Sequence, residues 1–208
     1  MIVQQYGLTY TRITADDIEL VRYWRNQEFI RNTMQFKEYI TPLMQQKWFK
    51  NIDNKYNYYF IIHFQDKKIG LINCKDSTKE KVAEGGIFIW DKSFWGTSVP
   101  AFASLAMLQA VFDEFQSGEA SIATISKQNN LALDFNLKLG YRIIGETDDK
   151  QCYKLYLTRK DYDTKTKKLI RAASIMTGQP HFKLWASVND KQSDEINAYI
   201  IKHQITLV

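Results

Sequence analysis

The sequence predicts an α/β fold: a mixed, mostly antiparallel central sheet flanked by helices on both faces, with a C-terminal extension. Three observations lead there. Apolar runs of strand length, YYFIIHFQ (Tyr58–Gln65), IGLINCK (Ile69–Lys75) and AEGGIFIW (Ala83–Trp90), follow one another closely, the first two separated only by Asp66-Lys67-Lys68. A helix-length apolar segment, Pro100 to Phe115, then leads to a short strand-like run, EASIATIS (Glu119–Ser126), which asks for a parallel crossover. A last helical segment, Asn129 to Leu139, stops at Gly140, and YRIIGET and CYKLYLT follow it as a final strand pair.

The remaining elements come from the first fifty-odd residues. GLTYTRI alternates and carries β-formers, so Gly7 to Ile13 is expected to be a strand. Thr14 followed by Ala15-Asp16-Asp17 has the form of an N-cap with acids in the first helical turn, and that helix is expected to run to Asn26. Gln27 to Met34 can form a second short helix. Thr41-Pro42 opens a third, with proline where its missing N–H costs nothing. After Thr158 the character changes. RKDYDTKTKKLIR carries six basic residues against two acids, and a polar stretch and INAYIIKHQITLV follow. Residues 1–158 are therefore expected to be the principal domain and 159–208 the extension, its basic run a solvated helix face.

Composition narrows the function classes. The net charge of +5 over 208 residues favours anionic ligands without arguing for nucleic acid. MIVQQYGLTYTRIT lacks the features of a signal peptide, and no apolar run approaches the length of a membrane span. The only cysteines, Cys74 and Cys152, are far apart, which fits a reducing cytoplasmic setting better than a disulfide framework. A buried strand-end thiol explains Cys74 better than a nucleophile, and nothing calls for a metal.

The short stretch Trp95-Gly96-Thr97-Ser98 lies between a predicted strand and a predicted helix. Such a junction aims unpaired helix N–H groups at one point, where an anion such as a pyrophosphate can sit without lysine or arginine. Gly96 allows close approach, and Thr97 and Ser98 add hydroxyls. Pro100 presets the first turn and removes one donor. Taken alone, the stretch is better explained as a plain connection, since strand–turn–helix junctions are common.

Together with ISKQNNLALDFNLKLGYRI (from Ile125), this stretch resembles the GNAT superfamily of acyl-CoA-dependent N-acyltransferases, and its loop is most similar to the ribosomal-protein N-acetyltransferase-like branch. The matching residues are the strand Gly86–Trp90, Asp91, Phe94-Trp95-Gly96 and Thr97-Ser98, then Asn129, Ala132 and Lys138-Leu139-Gly140-Tyr141. The resemblance covers roughly residues 7–158. It implies acetyl-CoA as co-substrate. Ile89 and Trp90 would pair with the pantetheine arm, Trp95, Gly96, Thr97, Ser98 and Val99 would hold the pyrophosphate, and Asn129 would bond to the pantetheine or its phosphate end. The family often has Gly or Ala where Ser98 stands, a difference that a negative φ accommodates.

Acetyl transfer needs a neutral amine, a polarised thioester carbonyl and a protonated leaving thiolate. Glu84, at the start of the strand that flanks the acceptor, is the candidate base, with a solvated strand-end carboxylate as the plain alternative. His63 is second, since a histidine in such a strand is more often a satisfied structural residue. Many family members place a tyrosine acid four residues before the glycine of Leu-Gly-aromatic; here Asn136 stands there, and an amide cannot protonate a thiolate.

On the acceptor side, Trp24-Arg25-Asn26, Ile30-Arg31 and Met34, with Ile40 and the Gln46/Trp48-Phe49 helix, resemble N-acetyltransferases that act on amino-sugar nucleotides, such as the pseudaminic-acid pathway enzyme. Arg25 and Arg31 would bind phosphate, Trp24, Met34 or Phe36 would stack on base or sugar, and Asn26 would bond to hydroxyls. A helix core with surface arginines is the structural alternative. The expected partner is a small-molecule, nucleotide-linked amino sugar, and a homodimer is compatible with the reading. A protein or peptide N-terminal acetyltransferase, and a non-catalytic binding or assembly module using the basic run 159–171, are the other two readings.

Overall fold

Short turns make strands that are consecutive in sequence pair side by side, and the first half of the chain does so. The computed structural model describes residues 1–54, 56–77, 82–114 and 119–185. Ile2–Gln5 (β1) and Leu8–Arg12 (β2) form a hairpin through Tyr6 and Gly7, both with positive φ (54° and 76°). The predicted strand over 7–13 is thus the second half of a hairpin whose first strand, IVQQ, has too weak an alternation to announce itself. Asn57–Phe64 (β3), Lys67–Ser77 (β4) and Val82–Ile89 (β5) continue the antiparallel meander. Ala120–Ser126 (β6) joins β5 in parallel, and Arg142–Glu146 (β7) and Cys152–Thr158 (β8) add antiparallel neighbours in the order β5-β6-β8-β7.

Helices cover both faces. Ile18–Asn26 (α1), Glu28–Arg31 (α2) and Pro42–Ile52 (α3) lie on one face, where Ile18, Val21, Ile30 and Ile52 bury with Tyr59, Ile61, Leu71 and Trp90. The Thr41 cap forms as predicted, whereas after Thr14 the chain first makes a 3-10 turn, Ala15–Asp17, so that α1 starts only at Ile18. Thr14 N–H and hydroxyl both donate to Asp17 (3.0 Å each), and Thr41 Oγ1 accepts from Met44 N (3.2 Å). The other face carries Val99–Gln109 (α4), whose Val99, Ala103, Leu105 and Ala106 pack with Ile62, Ile69, Ile72 and Ile89. The α-helix predicted to reach Phe115 changes at Ala110 into a π-helical turn, Ala110–Glu114; Phe115 is outside the described residues. Asn130–Leu139 (α5) ends at Gly140, whose φ of 112° is the left-handed cap that glycine favours.

The segment after Thr158 shares this core. Arg159–Asp161 (α6), a π-helical turn Tyr162–Thr166 and Lys167–Thr177 (α7) bring Tyr162 and Ala173 into the cluster around α4. Tyr162 stacks on Phe112 (4.3 Å) and donates to Asp113 (2.7 Å). Lys183–Trp185 (β9) then pairs with β1, giving nine strands among the described residues in the order β7-β8-β6-β5-β4-β3-β2-β1-β9. The basic run is partly neutralised within the chain: Arg159 and Lys167 pair with Asp113 and Asp163, and Lys165 with Asp161. The predicted terminal segment 196–208 is outside the described residues.

Candidate active site

Two strands that begin in register and then part leave main-chain groups facing a gap. β5 and β6 pair only through Val82–Glu84 with Ala120–Ile122. Trp90 N donates to Ile69 O (2.9 Å), so residues 69 and 90 form a hydrogen-bonded pair of the β4–β5 ladder. Alternation turns the main-chain groups of Gly86 and Phe88 toward β4, and those of Gly85, Ile87 and Ile89 toward the gap. The Gly85 N–H falls within the short β5–β6 ladder that ends at Glu84 and Ile122, and the Trp95 indole donates to Ile89 O (2.9 Å). An extended amide-bearing chain can add to the others as a strand would, and an N–H there can polarise a carbonyl. The groups that face the gap thus centre on Ile87 and Ile89, while Trp90, predicted to share this role, uses its N–H within the sheet.

At the end of β5 a turn leads into α4. Asp91 organises it by accepting from Ser93 N and Oγ (3.1 and 2.7 Å) and pairing with Lys67 (2.6 Å). The Lys67 ammonium, then Ser93, hold its carboxyl down to about 2. Gly96 has φ of 73°, a conformation that a side chain would strain. Thr97 gives both its N–H and its hydroxyl to Phe94 O (3.2 and 2.7 Å), and Val99 N donates to Thr97 Oγ1 (3.3 Å). Phe102 N starts the helical ladder on Ser98 O (2.9 Å). The N–H groups of Gly96, Ser98 and Ala101 therefore have no acceptor among the described residues. Residues 95–98 are exposed, so this cradle opens to solvent and is not filled by the described residues. Ser98 has φ of −73°, which accommodates its Cβ.

On α5, Asn129 Oδ1 accepts from Ala132 N (3.1 Å) as the N-cap, leaving its amide NH2. Asn136 Nδ2 donates one of its two hydrogens to Ala132 O (2.8 Å), leaving one N–H and Oδ1, neither of which is an acid.

The opposite wall is built from side chains. Register places Glu84, Gly86 and Phe88 of β5, Lys75, Asn73 and Leu71 of β4, and Tyr59 and Ile61 of β3 on the face covered by α1 and α3. Glu84 pairs with Lys75 (3.2 Å). Tyr59 lies edge-on to Trp48 (5.3 Å), and burial, then the charge of Glu84, push its hydroxyl up to about 12. His63 shares this face but stands four residues beyond Tyr59 on β3, while Glu84 lies beside the other end of that strand, so the two are not brought together. Thr11 Oγ1 and His63 Nε2 are 2.8 Å apart, and burial, then Lys68, lower the pKa of His63.

Trp24 lies parallel to Trp90 (6.0 Å, 2°) and edge-on to Phe29, which contacts Trp95 (5.7 Å), so α1 and α2 are tied to the turn before α4. Trp24 therefore has one ring face already stacked. Arg25 lies over the Phe88 ring (5.8 Å); its Nη1 is buried with no hydrogen-bond partner among the described residues, and burial lowers its pKa. Asn26 uses both ends of its amide on Ile40, donating to O (2.9 Å) and accepting from N (2.8 Å), so it holds the 32–40 loop rather than offering its amide to a ligand. Arg31 ends α2, and half-buried Met34 packs on the core beneath. Asn73 and Tyr59 carry no motif, and only the strand register brings them together.

The acetyltransferase (GNAT) domain family matches residues 8–142. Solved structures with the same fold include a domain from Methanocaldococcus jannaschii DSM 2661 (18% identity, TM-score 0.64, covering 73% of this chain and 97% of that one). Another is spermidine N-acetyltransferase from Vibrio cholerae in complex with CoA and spermine (14%, 0.64, 77% and 100%). A third is AAC(6')-Ib in complex with paromomycin and acetyl-CoA (16%, 0.66, 76% and 97%). No curated protein matches the sequence.

Proposed function

The chain belongs to the acetyltransferase (GNAT) domain family and is an acetyl-CoA-dependent N-acetyltransferase; on that premise we propose that its acceptor is the primary amine of a nucleotide-linked amino sugar. The observation that carries the acetyl-transfer reading is the parting of β5 from β6 beside an open, main-chain cradle at the start of α4. The pantetheine arm adds along Gly85–Ile89, and the pyrophosphate sits on the N–H groups of Gly96, Ser98 and Ala101.

The acetyl carbonyl is polarised by a β5 N–H at the gap. Glu84 takes a proton from the acceptor ammonium, directly or through water, and the freed lone pair attacks the carbonyl carbon. The C–S bond then breaks, and the thiolate leaves to be protonated from solvent, since the Asn136 amide is not an acid.

Arg25 supports the choice of acceptor. A half-buried guanidinium with one nitrogen covered and no anionic partner among the described residues is costly, and an acceptor anion would relieve it. Glu84 and Phe88 are four residues apart on one face of β5, which spaces base and cation by ~13 Å. An α-amino acid is too short to meet both. A sugar with its amine at one end and a diphosphate at the other has the reach. The V. cholerae enzyme's spermine complex and the AAC(6')-Ib paromomycin complex show polyamine and aminoglycoside acceptors on this fold, so those amines belong in the same test.

The test is thiol release from acetyl-CoA with UDP-linked amino sugars, spermidine, an aminoglycoside and peptides. Preference for the sugar nucleotide by at least tenfold in kcat/KM is expected. Preference for spermidine or a peptide would overturn the acceptor assignment, and no release with any amine would overturn the function.

A further inference from the structure

Nothing in a strand pattern draws the eye to Asn73, yet its side chain occupies a particular place. It is the cross-strand partner of Gly86, and a Cβ built on Gly86 would fall 2.8 Å from Asn73 Oδ1 and 3.5 Å from Nδ2. The amide therefore lies across β5 at the one position on this face without a side chain. Glu84 precedes that position by two residues and Phe88 follows it by two, so carboxylate and arginine-capped ring flank the amide. Gly85 and Ile87, on either side of Gly86 in the chain, are the residues whose main chain turns toward the gap. Asn73 is half-buried, and among the described residues its amide makes no hydrogen bond within the chain.

An attacking amine needs more than a base. Its lone pair must point at the carbonyl carbon, and this fixes where its hydrogens point. One carboxylate holds one N–H and leaves rotation about that bond. A second acceptor removes it.

We propose that Asn73 is a catalytic residue of the acetyl transfer, its Oδ1 accepting a hydrogen bond from the acceptor amine while Glu84 takes the proton, and that Gly86 is required to give the amide this position. The inference rests on the acetyl-transfer reading above. The ammonium loses one proton to Glu84, and the amine nitrogen forms the C–N bond as the carbonyl π pair moves to oxygen. As the C–S bond breaks and its pair leaves on sulfur, the remaining excess proton on nitrogen passes through water to the departing thiolate. Asn73 holds an N–H throughout and exchanges no proton. The charged and titratable groups around it are Glu84 on β5, Lys75 on β4, Tyr59 on β3 and Arg25 on α1.

The experiment compares wild type with Asn73→Ala, Asn73→Asp, Gly86→Ala and the double variant Asn73→Ala/Gly86→Ala. It follows thiol release from acetyl-CoA with a UDP-linked amino sugar, and with methylamine at high concentration as a minimal nucleophile. Asn73→Ala is expected to lower kcat 10–100-fold with the KM for acetyl-CoA unchanged. Gly86→Ala is expected to do the same, because a terminal amide can swing away from the new methyl at little cost to folding. The double variant should be no slower than Asn73→Ala alone. Asn73→Asp keeps an acceptor but sets a second carboxylate beside Glu84, so the acid limb of its kcat/KM profile should move to higher pH. Thermal stabilisation of each variant by CoA shows that the fold and the cofactor half persist. Wild-type rates in both alanine variants, or an additive double variant, would overturn the role of Asn73 alone. A wild type that acetylates neither amine would overturn the acetyl-transfer reading and this inference with it.

Discussion

The two halves of the cleft are made of different material. On the α4 side, main-chain N–H groups of Gly96, Ser98 and Ala101 and the outward-facing groups of Gly85, Ile87 and Ile89 form the surface. On the α1–α3 side, the surface consists of Glu84, Asn73, Tyr59, Arg25 and Phe88 side chains set by strand register. The first half depends on backbone conformation and tolerates changes that keep it. The second depends on individual functional groups, so on the proposed reading substitutions there are expected to act on acceptor use and chemistry while leaving CoA binding alone. A conserved-size change thus has opposite meanings in the two halves.

The sharpest way to separate them is Glu84→Gln. It should lower kcat/KM by at least 100-fold, with the thermal shift produced by CoA unchanged; at 100 times its dissociation constant that shift corresponds to about 2.7 kcal/mol. An equal loss of CoA stabilisation would erase the distinction between the halves. Next in size, Gly96→Val should weaken CoA about tenfold by calorimetry, because a β-branched residue resists φ of 73°. Ser98→Ala should change affinity less than threefold, since the N–H and not the hydroxyl binds; a large loss at Ser98 would show the cradle to depend on side chains after all. Arg25→Met should raise the acceptor KM several-fold while leaving the protein as stable as wild type or up to ~1 kcal/mol more stable in urea, as a half-buried cation lacking an anionic partner among the described residues is removed. The smallest effect concerns Asp91. Its folded pKa lies below the ordinary 3.8, at about 2, so it contributes stability above the unfolded value that is lost as pH falls through the folded one. Asp91→Asn should flatten the decline of urea midpoints between pH 4 and pH 2.

Local signals in the sequence report local structure. Thr41-Pro42, Gly140 and the alternation of 58–90 each act through their own neighbours, and the structure has a capped helix, a left-handed C-cap and a meander there. The Trp95–Ser98 turn was readable for the same reason: a small-residue bend at a helix start exposes N–H groups by its own geometry. What eluded the sequence depends on distant partners. β1 is two weak alternations that persist because β2 and β9 flank it. The strand β9 lies inside a polar stretch and forms only against β1. Asn26 looks like a ligand residue until the loop returning to Ile40 claims its amide. Asn73 is one polar residue in an apolar strand, and its meaning comes from Gly86 thirteen positions later, on the next strand.

The aromatic bridge from α1 to α4 also makes the cleft optically active. Four of the five tryptophans lie around it, Trp24 on α1, Trp48 on α3, and Trp90 and Trp95 beyond the end of β5, while Trp185 lies on β9 at the far edge of the sheet. Trp24 and Trp90 are close and parallel enough for excitonic coupling in the ultraviolet, whereas Trp95 is 45% exposed beside the cradle. Ligand arrival beside these rings should therefore change the protein's own emission and circular dichroism, so binding can be timed in a stopped-flow cell without any added dye.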